Sequence, residues 1–473
     1  MSQPNFNETQ SDKIHPALDF TAEHAYVGQR MSVGSSSNRA SILRVIIDNR
    51  SILNFTDVTN TIGNISLQYI DFNMEQRWSS KGIDSFLSGK ESVEPAQLFA
   101  RLKALLRAYI ELPYEKLYDF LTLWSIGTYF YWLFNTYPYV YVGGISGSGK
   151  TKLLTLCSSI CFNSVSSGDI SSSCLFRLIQ GARCSIFMDE SDVLSNTYAR
   201  SDLRTLLLSG YKRGLVVYRN RRTAEGNFEP EHFELYSPKM FVNIQGLESV
   251  LGSRCIDIIM QRGSNRKITA REVVMNYPIW QQTRDLIYSF LMKNWKAVRQ
   301  AYNELEDVTD LQNRDWELWK PILSLAHFFD NTTLFQDIKA LAVEKAAESQ
   351  SVSSDLYEVV LVEALLSLVD NDGFYKLADI KREMVNNFED HDYLSSRQIG
   401  NLLRRLGFIQ SRRMGSGYQY FLQVSRVRTL AHSLGISEGS ECSECSEGSG
   451  EQGTQTVHDI VEVVEVKECQ EEE

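Results

Sequence analysis

The chain has 473 residues, 43% hydrophobic and 11% aromatic, enough to bury a large core in two or three domains and too apolar for a disordered chain. Its net charge of -11 sits after Ile436, where twelve acidic residues face the single Lys467, so the neutral body is free to carry local basic patches for nucleic acid. The eight cysteines lack framework spacing, Cys442 and Cys445 have no second pair to complete a zinc site, and the polar start Met1-Ser2-Gln3-Pro4-Asn5 is no signal peptide, which predicts a reducing, cytoplasmic setting.

Residues 1–38 are polar and end in Gly34-Ser35-Ser36-Ser37-Asn38, which predicts a mobile N-terminus. Residues 39–94 contain the short alternating runs Ile42 to Ile47 and Ile65 to Ile70 and predict a small β-rich region. Helical periodicity runs from Pro95 to Ile110 and again from Pro113 to Phe134. No charged residue lies between Asp119 and Lys150. A membrane span needs about 20 consecutive apolar residues, and Gly127, Asn135, Thr136 and Pro138 interrupt this run. A buried helix feeding a central strand is expected instead, and no membrane partner.

That strand, Tyr139 to Val142, leads into Gly144-Ile145-Ser146-Gly147-Ser148-Gly149-Lys150-Thr151, which fits G-x-x-x-x-G-K-[ST]. Glycines let backbone N–H groups turn inward around phosphates, and a helix starting at Lys150 adds its positive end. Lys150 is predicted to reach the β- and γ-phosphates of ATP, and the Thr151 hydroxyl to hold Mg²⁺. Downstream, the apolar strand Ser185 to Met188 ends in Asp189 and Glu190. We assign Asp189 to the metal and Glu190 to the attacking water, with Asp192 as a rival carboxylate. A helix from Arg200 to Leu208, a hairpin from Gly214 to Tyr218 returning at Phe233 to Tyr236, and a strand from Met240 to Ile244 follow. Asn243 on that strand reads as a sensor orienting water, or as a plain strand-end amide. Arg254 reads as a guanidinium offered to the nucleotide of a neighbouring subunit, or as a surface ion-pair partner. Strands alternating with helices predict an α/β domain over residues 95–263, a parallel sheet with helices on both faces. Residues 264–350 look helical throughout, a candidate lid.

Lys212, Arg213, Arg219, Arg221 and Arg222 lie along the hairpin beside Tyr211 and Tyr218. They suit a track for the phosphates of single-stranded DNA with aromatic contacts, or a solvated basic loop. From about 351 to 436 three helices and a ribbon turning at Gly415-Ser416-Gly417 outline a winged helix-turn-helix, with Phe408 to Gln410 expected to pair with Tyr418 to Phe421. Arg397, Arg404 and Arg405 on its third helix and Arg412 and Arg413 on its wing could hold duplex DNA, although such modules also dock proteins. Residues 437–473 have the composition of a disordered acidic tail, which would compete with DNA or recruit a protein partner.

The order P-loop, Asp189-Glu190, hairpin, Asn243, Ser253-Arg254-Cys255 resembles the AAA+ ATPases. Leu123 to Phe130, Tyr137-Pro138-Tyr139, Tyr236-Ser237-Pro238-Lys239 and Trp316 to Leu323 resemble more closely the primase–helicases of archaeal viruses, plasmids and mobile elements. The resemblance covers residues 95 to 435. It implies a homo-oligomeric ring, usually a hexamer, with ATP and Mg²⁺ at subunit interfaces, a hairpin in the central channel, Arg314 as a second sensor, and a DNA helicase or a loader or initiator. The first ninety residues are too short for a catalytic primase domain, so priming is not expected.

Overall fold

The computed structural model describes residues 12–33, 40–56, 61–68, 77–90, 93–189, 201–223, 226–243, 249–306, 310–311, 313–352, 355–387, 395–415, 417–433 and 436. Glu190, Asp192, the segments 1–11 and 34–39 and the acidic tail 437–473 lie outside the described residues. The chain divides into two units between Ser354 and Asp355.

The N-terminal part of the first unit is β-rich from Asp12 onward, not from residue 39. A four-stranded antiparallel sheet joins β2 (Leu18–Phe20), β3 (Ala25–Val33), β4 (Ala40–Ile47) and β5 (Ile52–Thr56). A three-stranded sheet joins β1 (Asp12–Ile14), β7 (Ile65–Leu67) and β6 (Thr61–Ile62). The expectation of a mobile segment through residues 12–33 fails because its polar residues are buried with distant partners. His15 Nε2 bonds the Gln180 carbonyl at 2.7 Å, and Gln29 Nε2 donates to the Trp78 carbonyl at 2.9 Å. The buried Arg183 lies 3.3 Å from Asp19 and 3.4 Å over the Trp132 ring. Buried polar groups need such partners, and the strands are fastened to the rest of the first unit through them.

Helices α1 (Ser80–Ser88), α2 (Pro95–Tyr109) and α3 (Lys116–Phe130) precede the central sheet. The uncharged stretch is α3, whose residues from Leu117 to Phe130 are all buried. Among the described residues no helix is long and apolar enough to cross a membrane. A Cβ at Gly127 would lie 2.2 Å from Tyr137 Oη and 2.8 Å from Leu325 Cδ1, so the glycine that interrupts the run is what lets α3 pack.

The central sheet contains β8 (Tyr139–Gly144), β9 (Val165–Ser167), β10 (Ile186–Asp189), β13 (Lys239–Val242) and β14 (Cys255–Met260). All five are parallel, in the order β14-β8-β13-β10-β9. Between them run α4 (Lys150–Ile160), α5 (Ser172–Ala182), α6 (Ser201–Ser209), a hairpin of β11 (Val216–Arg222) and β12 (Phe228–Glu234), and α7 (Ser249–Gly252). Side chains alternate across a strand, and the two faces bury different clusters. Val140, Val142, Phe187, Met240 and Val242 join Trp124, Leu153 and Trp280, whereas Tyr139, Tyr141, Ile186, Met188 and Phe241 join Phe176, Ile179 and Leu207. Helices therefore cover both faces, and β8, β10 and β13 read as apolar runs because neither of their faces meets water.

Beyond the sheet come α8 (Arg266–Thr269), α9 (Pro278–Glu304), α10 (Asn313–Phe328) and α11 (Thr332–Val352). The expected continuous helix is interrupted from Ala270 to Tyr277. Trp280, Tyr288, Ile322 and Ile338 from these helices share one apolar cluster with Trp124 of α3.

The second unit consists of α12 (Asp355–Leu368), β15 (Gly373–Lys376), α13 (Leu377–Asn387), α14 (Ser396–Arg405), β16 (Ser411–Met414), β17 (Gly417–Leu422) and α15 (Val424–Ser433). Its strands form an antiparallel sheet, β15-β17-β16. Ser395 and Gln398 close a capping box at the start of α14. The ribbon pairs Ser411 with Tyr420 and Met414 with Gly417, three residues later on the first arm than the sequence pattern predicts. Ser411 to Met414 are exposed throughout and carry no alternation to mark them, while Phe408 is pulled into the core.

Candidate functional site

The Gly144–Thr151 loop leaves the carboxyl end of β8, where a parallel sheet binds its ligands. Gly144, Gly147 and Gly149 have φ of +126°, +78° and +91°, a region closed to most side chains. At Gly144 a Cβ would also fall 2.2 Å from the Met260 carbonyl of the adjacent strand, so the loop's backbone lies directly against the sheet edge. Lys150 is buried, with Nζ donating to the carbonyls of Gly144 at 2.6 Å and Ile145 at 2.7 Å. The ammonium is thus folded into the loop it belongs to. Ser148 Oγ is buried with no hydrogen-bond partner among the described residues. Ile145, Ser146, Gly147 and Thr151 are exposed along the rim.

Strand register brings the other groups to the same end of the sheet. Asp189 is level with Val242, and Val242 with Val142. Two strand spacings, about 10 Å, separate β8 from β10. Asn243 follows β13 directly, between the two, and is buried; its carbonyl accepts from Tyr141 Oη at 3.3 Å. Asp189 Oδ1 is buried and has no hydrogen-bond partner among the described residues. A carboxylate oxygen held dry and unsatisfied is costly unless a cation or donor completes it. The exposed glycine-rich rim, Lys150 and the incomplete Asp189 oxygen fit a triphosphate with its divalent cation, with Thr151 and Asp189 on the metal side.

Three groups beside the loop escape sequence reading. Arg262 Nη2 reaches the Ser146 carbonyl at 3.5 Å, and Lys152 Nζ donates to the Ile268 carbonyl at 2.7 Å. Glu111 accepts from the Asn265 N–H at 2.8 Å and from Ser264 Oγ at 3.0 Å, bonds that hold its carboxyl below the usual range. They strap the segment after β14 to the flank of the phosphate loop. Lys152, next to the motif, was the one of the three with a signal to follow.

Arg254 lies at the opposite end of the sheet. Its carbonyl accepts from the Tyr139 N–H at 3.1 Å, which puts it at the start of β8, whereas the loop follows the end of that strand. At about 3.3 Å per residue the two are some 17 Å apart along the strand. Its guanidinium donates through Nε to the Leu208 carbonyl at 3.0 Å, through Nη1 to the Val250 carbonyl and to Ser253 Oγ, and lies 5.1 Å from the Tyr211 ring centroid. Burial, and then the charge of Arg314, pulls its pKa below the ordinary value. Arg314 itself donates to Ser253 Oγ and lies 6.0 Å from the same ring. Arg314, for which the resemblance implied the role of a second sensor, thus stands at the end of the sheet remote from the chain's own phosphate loop. Among the described residues neither arginine forms a salt bridge, although the charge of Arg314 acts on the carboxyl of neighbouring Asp315.

Two of the five basic groups assigned to the hairpin are committed elsewhere. Lys212 pairs with Glu317 at 2.8 Å, and Arg213 donates to the Trp132 carbonyl at 3.0 Å and lies over that ring. Tyr211 is buried. On the hairpin, Arg219 and Arg221 face Glu231 and Glu229 across the ladder, so their charge is offset, while Arg222 faces Phe228. One face of the ribbon carries Tyr218, Arg222, Phe228 and His232; Tyr218 is 65% and Phe228 70% exposed. In the second unit Arg397, Arg404, Arg405, Arg412 and Arg413 are all exposed. Arg405 is paired with Glu358, and Arg412 stacks 3.9 Å over Phe374 and bonds Gln419. Among the described residues no group of His, Cys, Asp and Glu could hold a metal ion by itself.

No protein-family model matches the chain, and no curated protein matches it. Among solved structures it is similar to a full-length MCM homologue from Methanopyrus kandleri, at 9% identity over 69% of this chain and 78% of that one, with a TM-score of 0.35. The JCV helicase shares 11% identity over 59% of this chain and 69% of its own, with a TM-score of 0.25. Drosophila ORC, solved bound to DNA, shares 10% over 74% and 99%, with a TM-score of 0.20.

Proposed function

We propose that this chain is an ATP-hydrolysing motor of the AAA+ kind that acts on DNA as a replicative helicase or translocase of a virus, plasmid or mobile element. The observation that carries the reading is the grouping of the Gly144–Thr151 loop, Asn243 and Asp189 at the carboxyl ends of adjacent strands. Lys150 would leave the carbonyls of Gly144 and Ile145 for the phosphates, and Thr151 and Asp189 would hold Mg²⁺, which draws charge from the transferring phosphoryl. Asn243 would orient the attacking water and Glu190 would polarise it. Arg254 and Arg314, two cations out of reach of the chain's own loop and in no salt bridge among the described residues, suit the phosphates of an adjoining subunit. That supports a ring. The helices from α9 to α11 would serve as the lid, the exposed Tyr218–Arg222–Phe228 face would meet single strands, and the second unit would act as a winged helix on duplex DNA.

A forked-duplex strand-displacement assay with ATP tests the motor. Displacement that disappears in Lys150→Ala supports it. Duplex binding with slow turnover and no displacement would replace it with an initiator or loader that uses ATP as a switch. Undiminished hydrolysis by Lys150→Ala would remove the phosphate-loop assignment altogether.

A further inference from the structure

Tyr211 lies in the short connection between α6 and β11, is 8% exposed, and has Arg254 and Arg314 within 6.0 Å of its ring centroid. The same connection is the root of the hairpin. The Tyr211 carbonyl accepts from the Tyr137 N–H at 2.9 Å, Lys212 bridges to Thr136 and pairs with Glu317, and the Arg213 N–H donates to Asn135 at 2.8 Å. Glu317 stands on α10 three residues from Arg314, so one helix turn joins the hairpin's ion pair to the second arginine. Buried Lys239 closes the root from beneath, with Nζ donating to the carbonyls of Gly210, Leu235 and Ser237 at 3.1 to 3.3 Å and tying both hairpin arms together. A displacement of the ribbon must therefore move the Tyr211 ring or break these bonds.

We propose that Tyr211 is a positioning residue that couples the β11–β12 hairpin to the Arg254–Arg314 pair, so that nucleic acid on the hairpin alters the reach of those arginines toward an adjoining subunit's phosphates. The inference rests on the reading of Arg254 given above. The ring is what matters: it offers a flat π face to both guanidiniums. The coupling runs through the ring, so phenylalanine replaces the tyrosine and leucine does not.

The test uses the full chain with ATP, with and without a mixed-sequence single-stranded oligonucleotide, and measures kcat, KM and the degree of stimulation. Tyr211→Leu should lower kcat at least about ten-fold with KM within about two-fold, and lose stimulation, the pattern of a lost transition-state contact. Tyr211→Phe should retain all three values. The Tyr211→Leu/Arg254→Ala double variant should be no slower than Arg254→Ala alone. Native kcat and stimulation in Tyr211→Leu, failure of Tyr211→Phe, or additive losses in the double variant would each overturn the coupling. An Arg254→Ala variant with native kcat overturns the arginine reading itself, and the coupling with it. Should Tyr211→Leu not fold, Glu317→Gln carries the test: basal kcat should stay within about two-fold while stimulation falls by half or more, and unchanged stimulation rejects the proposal.

Discussion

Arg314 Nη1 donates to Ser253 Oγ at 2.6 Å, which brings a second guanidinium beside Arg254 at the sheet end remote from the phosphate loop. Like charges gathered together are unfavourable by themselves, and burial and the Arg314 charge both pull the Arg254 pKa down. An anion supplied by another copy of the chain would relieve both.

Arg254→Ala and Arg314→Ala should each reduce ATP turnover at least about a hundred-fold, the scale of arginines that act on a neighbour's phosphoryl group. Mixing either variant with Lys150→Ala should restore part of the activity, because the two damage different halves of a shared site. Steady-state hydrolysis of mixed samples checks this. Mixtures no faster than their components would assign the arginines to a role within one subunit.

Asp189→Asn keeps the size of the side chain and removes the charge that its unpartnered oxygen presents. ATP affinity measured without hydrolysis should change by no more than about ten-fold, while turnover falls by about a hundred-fold or more. Equal turnover at every Mg²⁺ concentration would show that Asp189 serves the fold alone.

The hairpin arginines should not be equivalent. Arg222→Glu should weaken single-strand binding more than Arg219→Glu, since Glu231 already offsets Arg219 whereas Arg222 faces Phe228. Tyr218→Ala and Phe228→Ala should each weaken single-strand binding, at about 1–3 kcal/mol for a lost stacking ring. Fluorescence anisotropy with a labelled single strand measures all four, and uniform affinities would reject this face.

His15 is buried against the Gln180 carbonyl and Arg183, and its pKa is pushed well below the ordinary 6.5 by burial first and by Arg183 second. The folded imidazole stays neutral where the unfolded one gains a proton, so stability is lost as the pH falls below 6.5 toward the folded pKa. Thermal melts should therefore fall between pH 7 and pH 5, and His15→Gln should flatten that part of the profile. An unchanged slope would mean that His15 is not responsible.

Gly127→Ala would place a methyl against Tyr137 Oη and Leu325, where neither neighbour has room. A loss of about 1–3 kcal/mol in chemical denaturation is expected for such overpacking; a neutral result would show that α3 can shift.

What could be read from the chain alone was what is local. The phosphate loop declares itself through glycines at fixed spacing, and β8, β10 and β13 through runs apolar on both faces. The strands before residue 39 stay hidden because His15 and Gln29 are buried by partners at Gln180 and Trp78, far away in the chain. The meeting of Arg314 with Ser253 is hidden for the same reason: no spacing rule brings a residue on α10 to that loop. The ribbon of the second unit was displaced in register because Ser411 to Met414 offer no buried face to fix it.

The strand order has a bearing on biosynthesis. β8 is completed by two partners, β13 and β14, that emerge from the ribosome only after the whole hairpin has been made. Until Val242 is available both hydrogen-bonding edges of the phosphate-loop strand are bare beside the apolar surface of α3, and until Met260 one of them stays so, a template for mispairing. Messages cut short before that codon should yield insoluble product, whereas release after the central sheet is finished should not.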